Sequence, residues 1–496
     1  MAEPLNRDET EDVLVDGDAG EGVAVGDAVG GRSVSDAAEA ERSGESVGVV
    51  EPALGSGKMS SRVASVDALR GLTILLMIFV NDVAAFGSAR LPHWLDHANL
   101  WADADAATGR IDAMSLPDVV FPAFLFIAGV SIPLAFWAAR RRGATWLSLL
   151  LKVLGRTGAL VLMGFLMVNQ ETHDPWPGYL WGIALYVCFL LAFSVLPRER
   201  GGLRTSLWWG RWVGAAGLAA LAFVYRDAEG HMIVLGPLFG DEEGYWLQHH
   251  WWWGILGLIG WAYFAAALVY LLVGARREWL VGGVAVMSVM YLGVSAGIWD
   301  RFESRGWMEG VLPFLRPVGD VFGFINSNVG FRSTLGSGAA ITMAGVVLGT
   351  VLVPGSGVEG HWARVRWGMG FALLLFLLAL MFDPVTGIDK VAATPAWCLL
   401  CAAIACAAWV VLYVVMDVMR FTAWAWPIKP AGENPLLAYL LHPFLIWVVM
   451  LVGLNPRFYH GEDWPLWAAV VGSLVMSFFV VLLTGLIARL GIRLKV

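Results

Sequence analysis

The chain has 496 residues, of which 58% are hydrophobic and only 15% charged, against roughly 25% charged in ordinary soluble domains. Its 26 tryptophans suit helices anchored at two lipid–water interfaces. This composition excludes a soluble globular enzyme and a nucleic-acid-binding domain, and indicates an all-α polytopic membrane protein surrounded by membrane lipids.

The net charge of −8 is unevenly distributed. Residues 1–58 hold 14 acidic and 4 basic side chains, and the remainder holds 27 and 29. The first 58 residues are rich in Gly, Ala, Ser, Glu and Asp and contain no aromatic residue, so they cannot bury enough apolar surface to fold. They also lack the basic start and apolar core of a secretory signal. Residues 1–60 are therefore read as a disordered acidic cytoplasmic tail, with Met59 a second candidate start, and residues 61–496 as the membrane domain.

A membrane helix needs ~20 mostly apolar residues. Twelve stretches qualify: 69–87, 116–138, 146–168, 177–196, 206–225, 251–273, 279–299, 335–354, 364–382, 395–416, 434–453 and 464–488. The weakest are 206–225, which carries Arg211, and 364–382, which begins among Arg364 and Arg366, so the expectation is eleven or twelve spans. Loops after even-numbered stretches, with the C-terminus, hold 15 basic residues, and loops after odd-numbered stretches hold nine. The positive-inside rule then puts both termini in the cytoplasm and the first loop outside. For a bacterial inner membrane, outside is the periplasm. The outer loops also hold seven of the nine histidines.

The first outer loop reads Pro92-His93-Trp94-Leu95-Asp96-His97-Ala98. A histidine among polar residues at the mouth of two membrane helices is a candidate for moving protons or acyl groups at a membrane surface. The plainer alternative for His97 is an interfacial histidine that caps a loop. Asp67 and Arg70 stand three apart at the start of the first helix, either as a positioning ion pair or with Arg70 offered to an anion. Lys152 and Arg156 either snorkel to the cytoplasmic interface or face a ligand entry. Asn434, Tyr439 and His442 share the eleventh helix, where they line a cavity or hold helices together. The four cysteines lie in apolar stretches and read as packing residues, Cys398 and Cys401 included. His249-His250 lacks a third ligand at a recognisable spacing, so no metal site is expected.

Two segments carry a resemblance. One is Arg62-Val63-Ala64-Ser65-Val66-Asp67-Ala68-Leu69-Arg70-Gly71-Leu72-Thr73, continued by Asn81, His97 and the run Pro117 to Ile132. The other is Gly432-Glu433-Asn434-Pro435-Leu436-Leu437-Ala438-Tyr439-Leu440-Leu441-His442. Together they resemble the heparan-alpha-glucosaminide N-acetyltransferase family of transmembrane acyltransferases over about residues 61–490, with Asp389-Lys390 fitting less specifically. The resemblance implies acetyl transfer from cytosolic acetyl-CoA to an amino sugar or glycan on the far side, and a homodimer. It implies His97 as the catalytic histidine and Asn81 as a second site residue. The Asn81–His97 spacing of 16 is longer than the animal enzyme's pattern leads one to expect. The pair 206–225 and 251–273 looks like an addition. Both put the acceptor pocket in question.

Acetyl transfer to an amine needs a base, a donor for the developing oxyanion and a channel for the thioester. His97 suits the base, with Asp96 or Asp118 holding its tautomer. Asn81 has an amide to offer the oxyanion. Asp67, Arg70, Asn434, Tyr439 and His442 are the candidate acetyl-CoA contacts, with His442 expected nearer the cytoplasm. Two other functions compete: O-acetylation of periplasmic or cell-wall glycans, and sugar or lipid transport without acyl chemistry.

Overall fold

The computed structural model describes residues 63–102, 111–169, 178–196, 201–227, 229–247, 253–297, 316–455, 457–461 and 464–494. The acidic tail expected over 1–60 lies outside these, as do His173, His249 and His250.

Twelve principal helices follow one another in the order expected. They are α1 (Ala64–Val83), α2 (Leu116–Arg140), α3 (Trp146–Val168), α4 (Gly178–Ala192), α5 (Gly202–Val224) and α6 (Gly254–Val273). The chain continues with α7 (Arg277–Ser295), α8 (Ala339–Leu352), α9 (His361–Thr386), α10 (Pro395–Tyr413), α11 (Pro435–Leu451) and α12 (Leu466–Arg489). Among the described residues, ten spans are long and apolar enough to cross a membrane, and α4 and α11 supply two shorter apolar helices. The chain is an all-α polytopic membrane protein. Both weak stretches are helical: Arg364 and Arg366 lie in the first two turns of α9, where long side chains can reach the interface, and Arg211 of α5 is exposed and donates to the Ala192 carbonyl at 3.3 Å.

Helix starts follow local chemistry. Pro117 stands in the first turn of α2 and Pro395 opens α10, where a missing N–H costs nothing. The Thr394 hydroxyl accepts the Trp397 N–H at 3.4 Å and caps α10. The short α11 has a visible cause: a separate helix, Lys429–Glu433, precedes it, and the chain breaks at Asn434.

The helices pack in pairs: α2 on α8, α3 on α6, α4 on α5 and α9 on α10. The most apolar window of α8 is 89% buried, against 17% for α5 and 22% for α9. Thus α8 is a central post, while α5 and α9 keep most of their surface for lipid. Close crossings rest on glycine. A Cβ on Gly129 of α2 would run into the Thr342 carbonyl of α8, and one on Gly345 of α8 would run into the Phe126 carbonyl. Small residues let backbones touch where lipid offers no hydrophobic drive between helices. Gly71 and Gly432 do the same for α1 and the Lys429–Glu433 helix.

The α2–α8 crossing makes a prediction. Gly345→Leu should lower thermal stability in detergent by about 1–3 kcal/mol through overpacking. Gly158→Ala, at a site with open space around it, should leave the melting curve unchanged or slightly raised.

Candidate active site

The first loop folds back onto the helix ends. Leu91, Leu95 and Ala98 are buried, and the Leu116 N–H donates to the Trp94 carbonyl at 3.1 Å. This brings the His97 ring to the start of α2. His97 Nδ1 lies 2.8 Å from Asp118 Oδ1. Asp118 is fully buried. Its Oδ2 accepts the Ser115 hydroxyl at 2.7 Å and the backbone N–H groups of Ser115 and Ala98 at 3.1 Å each. The carboxylate also sits in the first turn of a helix, where the dipole favours negative charge. Of the two candidate carboxylates, Asp118 holds the imidazole. Asp96 instead accepts the His97 backbone N–H at 2.9 Å.

A third group, Lys390, carries only the weak signal of the Asp389-Lys390 pair in the sequence and no indication of a partner. Lys390 Nζ lies 3.0 Å from Asp118 Oδ1 and 2.6 Å from His97 Nδ1. It comes from the α9–α10 loop, which is tied to the first loop twice: Ile388 N–H donates to Asp112 at 2.8 Å, and Ile111 N–H to Asp389 at 3.2 Å.

A second cluster forms at the same end of the bundle. Asp82, fully buried near the end of α1, meets His442 Nε2 at 3.3 Å, Arg457 Nε at 3.2 Å and the Tyr459 hydroxyl at 2.8 Å. His460 Nε2 lies 3.9 Å from Asp82 and 3.0 Å from the Ser473 hydroxyl. Burial pushes the Tyr459 phenol up and the His460 imidazole down, so both are neutral near pH 7. Beside this cluster is a cavity of about 440 Å³ whose walls include Asn81, Tyr439, His442, Trp447 and Arg457.

The opposite end holds a larger cavity of about 1000 Å³. Four arginines line it: Arg70 from α1, Arg156 from α3, and Arg489 and Arg493 from the end of the chain. Arg70 is held by Asp67 at 3.0 Å, Ser131 at 2.7 Å and the Gly432 carbonyl at 3.2 Å. Arg156 stacks over Tyr263, its Cζ 4.6 Å from the ring centroid. The break at Asn434 is part of the wall, which fits the rule that non-helical backbone near membrane depth survives where it lines a cavity. Tyr439 belongs to the walls of both cavities.

The expected site residues thus sort into three places. His97 and Asp118 meet directly. Asn81 does not join them and lines the smaller cavity. Arg70, Asn434 and Tyr439 line the larger cavity, and Asp67 stands behind Arg70. His442 is not at the Arg70 end, where its position in the sequence put it, but beside Asp82. The reason is that the Lys429–Glu433 helix already packs against α1 and α12, so α11 begins inside the bundle and His442, two turns on, reaches the far end of α1. The pair Lys152 and Arg156 also divides: Lys152 is exposed, while Arg156 faces the larger cavity. Among the described residues, no group of three or more His, Cys, Asp or Glu is placed to hold a metal.

A family model described as a domain of unknown function (DUF5009) matches residues 62–206. The heparan-alpha-glucosaminide N-acetyltransferase of Mus musculus is 33% identical over 112 residues, which is 23% of this chain and 15% of that one. The enzyme of the same name from Homo sapiens is 32% identical over 110 residues, 22% of this chain and 14% of that one. The chain is similar, at a distance, to these N-acetyltransferases. The chain spans about 15% of the length of these curated relatives. The segment matched by the family model contains Asn81, His97 and Asp118.

The Asp82 cluster can be tested by itself. Asp82→Ala leaves Arg457, Tyr459 and His442 without their shared partner. It should lower stability by about 3–5 kcal/mol, read as a drop in the detergent melting temperature. Asp82→Asn, which keeps an acceptor oxygen, should cost less.

Proposed function

We propose that the protein is a membrane acetyltransferase. It takes acetyl from acetyl-CoA at the cytoplasmic, Arg70 end and passes it to an amine of an amino sugar or glycan at the periplasmic, His97 end. The observation that carries this reading is the 2.8 Å contact between His97 and the buried Asp118, in a chain that is similar over part of its length to N-acetyltransferases.

The chemistry follows from the groups. With Nδ1–H donated to Asp118, His97 keeps a lone pair on Nε2 that can take the proton of an attacking amine. The buried carboxylate stabilises the imidazolium that results. The same proton can then pass to the departing thiolate of CoA. His97 keeps 27% of its side chain exposed, so an acceptor reaches it from the outer side. Asn81 offers amide donors in the smaller cavity, suited to a carbonyl oxygen that gains charge.

The larger cavity supports the donor half of the proposal. Its four guanidinium groups match a polyphosphate, because arginine binds phosphate in a bidentate manner. The shared wall at Tyr439 lets a thioester that enters from the Arg70 end approach the outer cavity. The excess of basic residues in even-numbered loops supports a cytoplasmic Arg70 end.

Two outcomes test this. Purified protein with radiolabelled acetyl-CoA and a panel of amino sugars should yield an acetylated sugar. His97→Ala should cut that rate by roughly 100-fold or more, the usual worth of a general base. Full transfer by His97→Ala would refute the assignment. Separately, Arg156→Ala should raise the KM for acetyl-CoA about tenfold, in line with ~1.5–3 kcal/mol for a hydrogen bond to a charged group, and leave the acceptor KM unchanged.

A further inference from the structure

Lys390 and Asp118 make opposite demands on one atom. A carboxylate only accepts hydrogen bonds and an ammonium only donates them. Both lie within hydrogen-bond reach of His97 Nδ1, at 2.8 Å for Asp118 and 2.6 Å for Lys390. In a neutral imidazole, Nδ1 cannot satisfy both. If it carries the proton it donates to Asp118, and Nε2 is a free base. If it is bare it accepts from Lys390, and Nε2 carries the proton and has no lone pair to offer.

The loop that presents Lys390 is built to hold it there. Asp389 is buried and accepts the N–H groups of Ile111 at 3.2 Å and Ala392 at 3.0 Å. The Thr394 hydroxyl donates to the Gly387 carbonyl at 2.7 Å and accepts the Asp389 N–H at 3.1 Å. Ala393 has a φ of 50°, a left-handed conformation that costs a residue with a Cβ about 1 kcal/mol or more. Such strain persists only where the surroundings over-determine it. Here they fix the residue three positions from Lys390.

We propose that Lys390 is a positioning residue for His97. It competes with Asp118 for Nδ1 and so sets the fraction of imidazole whose Nε2 is free to take a proton. Lys390 Nζ also lies 3.0 Å from Asp118 Oδ1, a contact that needs no proton on His97, so a change of tautomer need not leave the ammonium unpaired. The inference rests on the reading of His97 as the base.

The test does not depend on acetyl transfer. Diethyl pyrocarbonate attacks a bare imidazole nitrogen, and its reaction with His97 is read by mass spectrometry on the full chain in detergent, at mildly alkaline pH. Lys390→Met leaves Asp118 in sole control, and the His97 reaction rate should rise by about twofold or more. Asp118→Asn places an amide donor against Nδ1, and the rate should fall. Lys390→Arg keeps a donor and should stay near the wild type. Melting curves identify any variant that fails to fold, and the arginine variant then carries the comparison. Rates for Lys390→Met and Asp118→Asn that move in the same direction, or no change in Lys390→Met, would overturn the proposal. Transfer from acetyl-CoA to glucosamine is measured in parallel, and Lys390→Met should alter kcat with both KM values held. A protein that transfers no acetyl but shows the opposite shifts in labelling would refute the function and leave the role of Lys390 standing.

Discussion

A carboxylate that water does not reach must be met by donors from the protein itself, since burying an unpaired charge costs several kcal/mol. Asp118 is that carboxylate, and the His97 end of the bundle is arranged around it. Its donors come from three separate stretches: His97 and Ala98 in the first loop, Ser115 before α2, and Lys390 in the α9–α10 loop. Each would be an ordinary surface segment alone. Together they are fixed because one buried charge needs all of them.

The same requirement recurs at Asp82, with a different outcome. Its partners are two histidines, a tyrosine and an arginine drawn from α11 and the α11–α12 loop. That cluster ties the last two helices to the first and stands beside a cavity, whereas Asp118 braces a loop. The two carboxylates divide the His97 end into a half-open dyad and a walled chamber. The arginine-lined cavity at the other end is built differently, because the carboxylate on its wall, Glu433, is exposed. Of its arginines, Arg70 is held by Asp67, while Arg156 leans on an aromatic face.

Much of this is legible in the sequence, and the rest is not for identifiable reasons. All twelve helices can be read because a continuous apolar run of membrane length is stable in few settings besides a helix that crosses a bilayer. His97 and Asp118 can be paired because the two ends of one loop must meet at neighbouring helix ends. Lys390 can be noted with Asp389 as a weak part of the resemblance, but its pairing with His97 escapes such reading because the two are 293 residues apart. Arg457 and Tyr459 escape it for the same reason, since they find Asp82 only through tertiary packing. Arg156 reads equally well as a snorkelling side chain, because a cavity does not exist until α3, α6 and α11 close around it. His442 is misplaced by the assumption that its helix begins at the cytoplasmic edge, whereas the Lys429–Glu433 helix before it is already packed against α1 and α12.

Tyr439 stands in the walls of both chambers. It is the one lining side chain the two chambers share among the described residues. The bulk of this ring therefore bears on how far the two chambers communicate, so side-chain volume at 439 matters apart from any polar contact its hydroxyl makes.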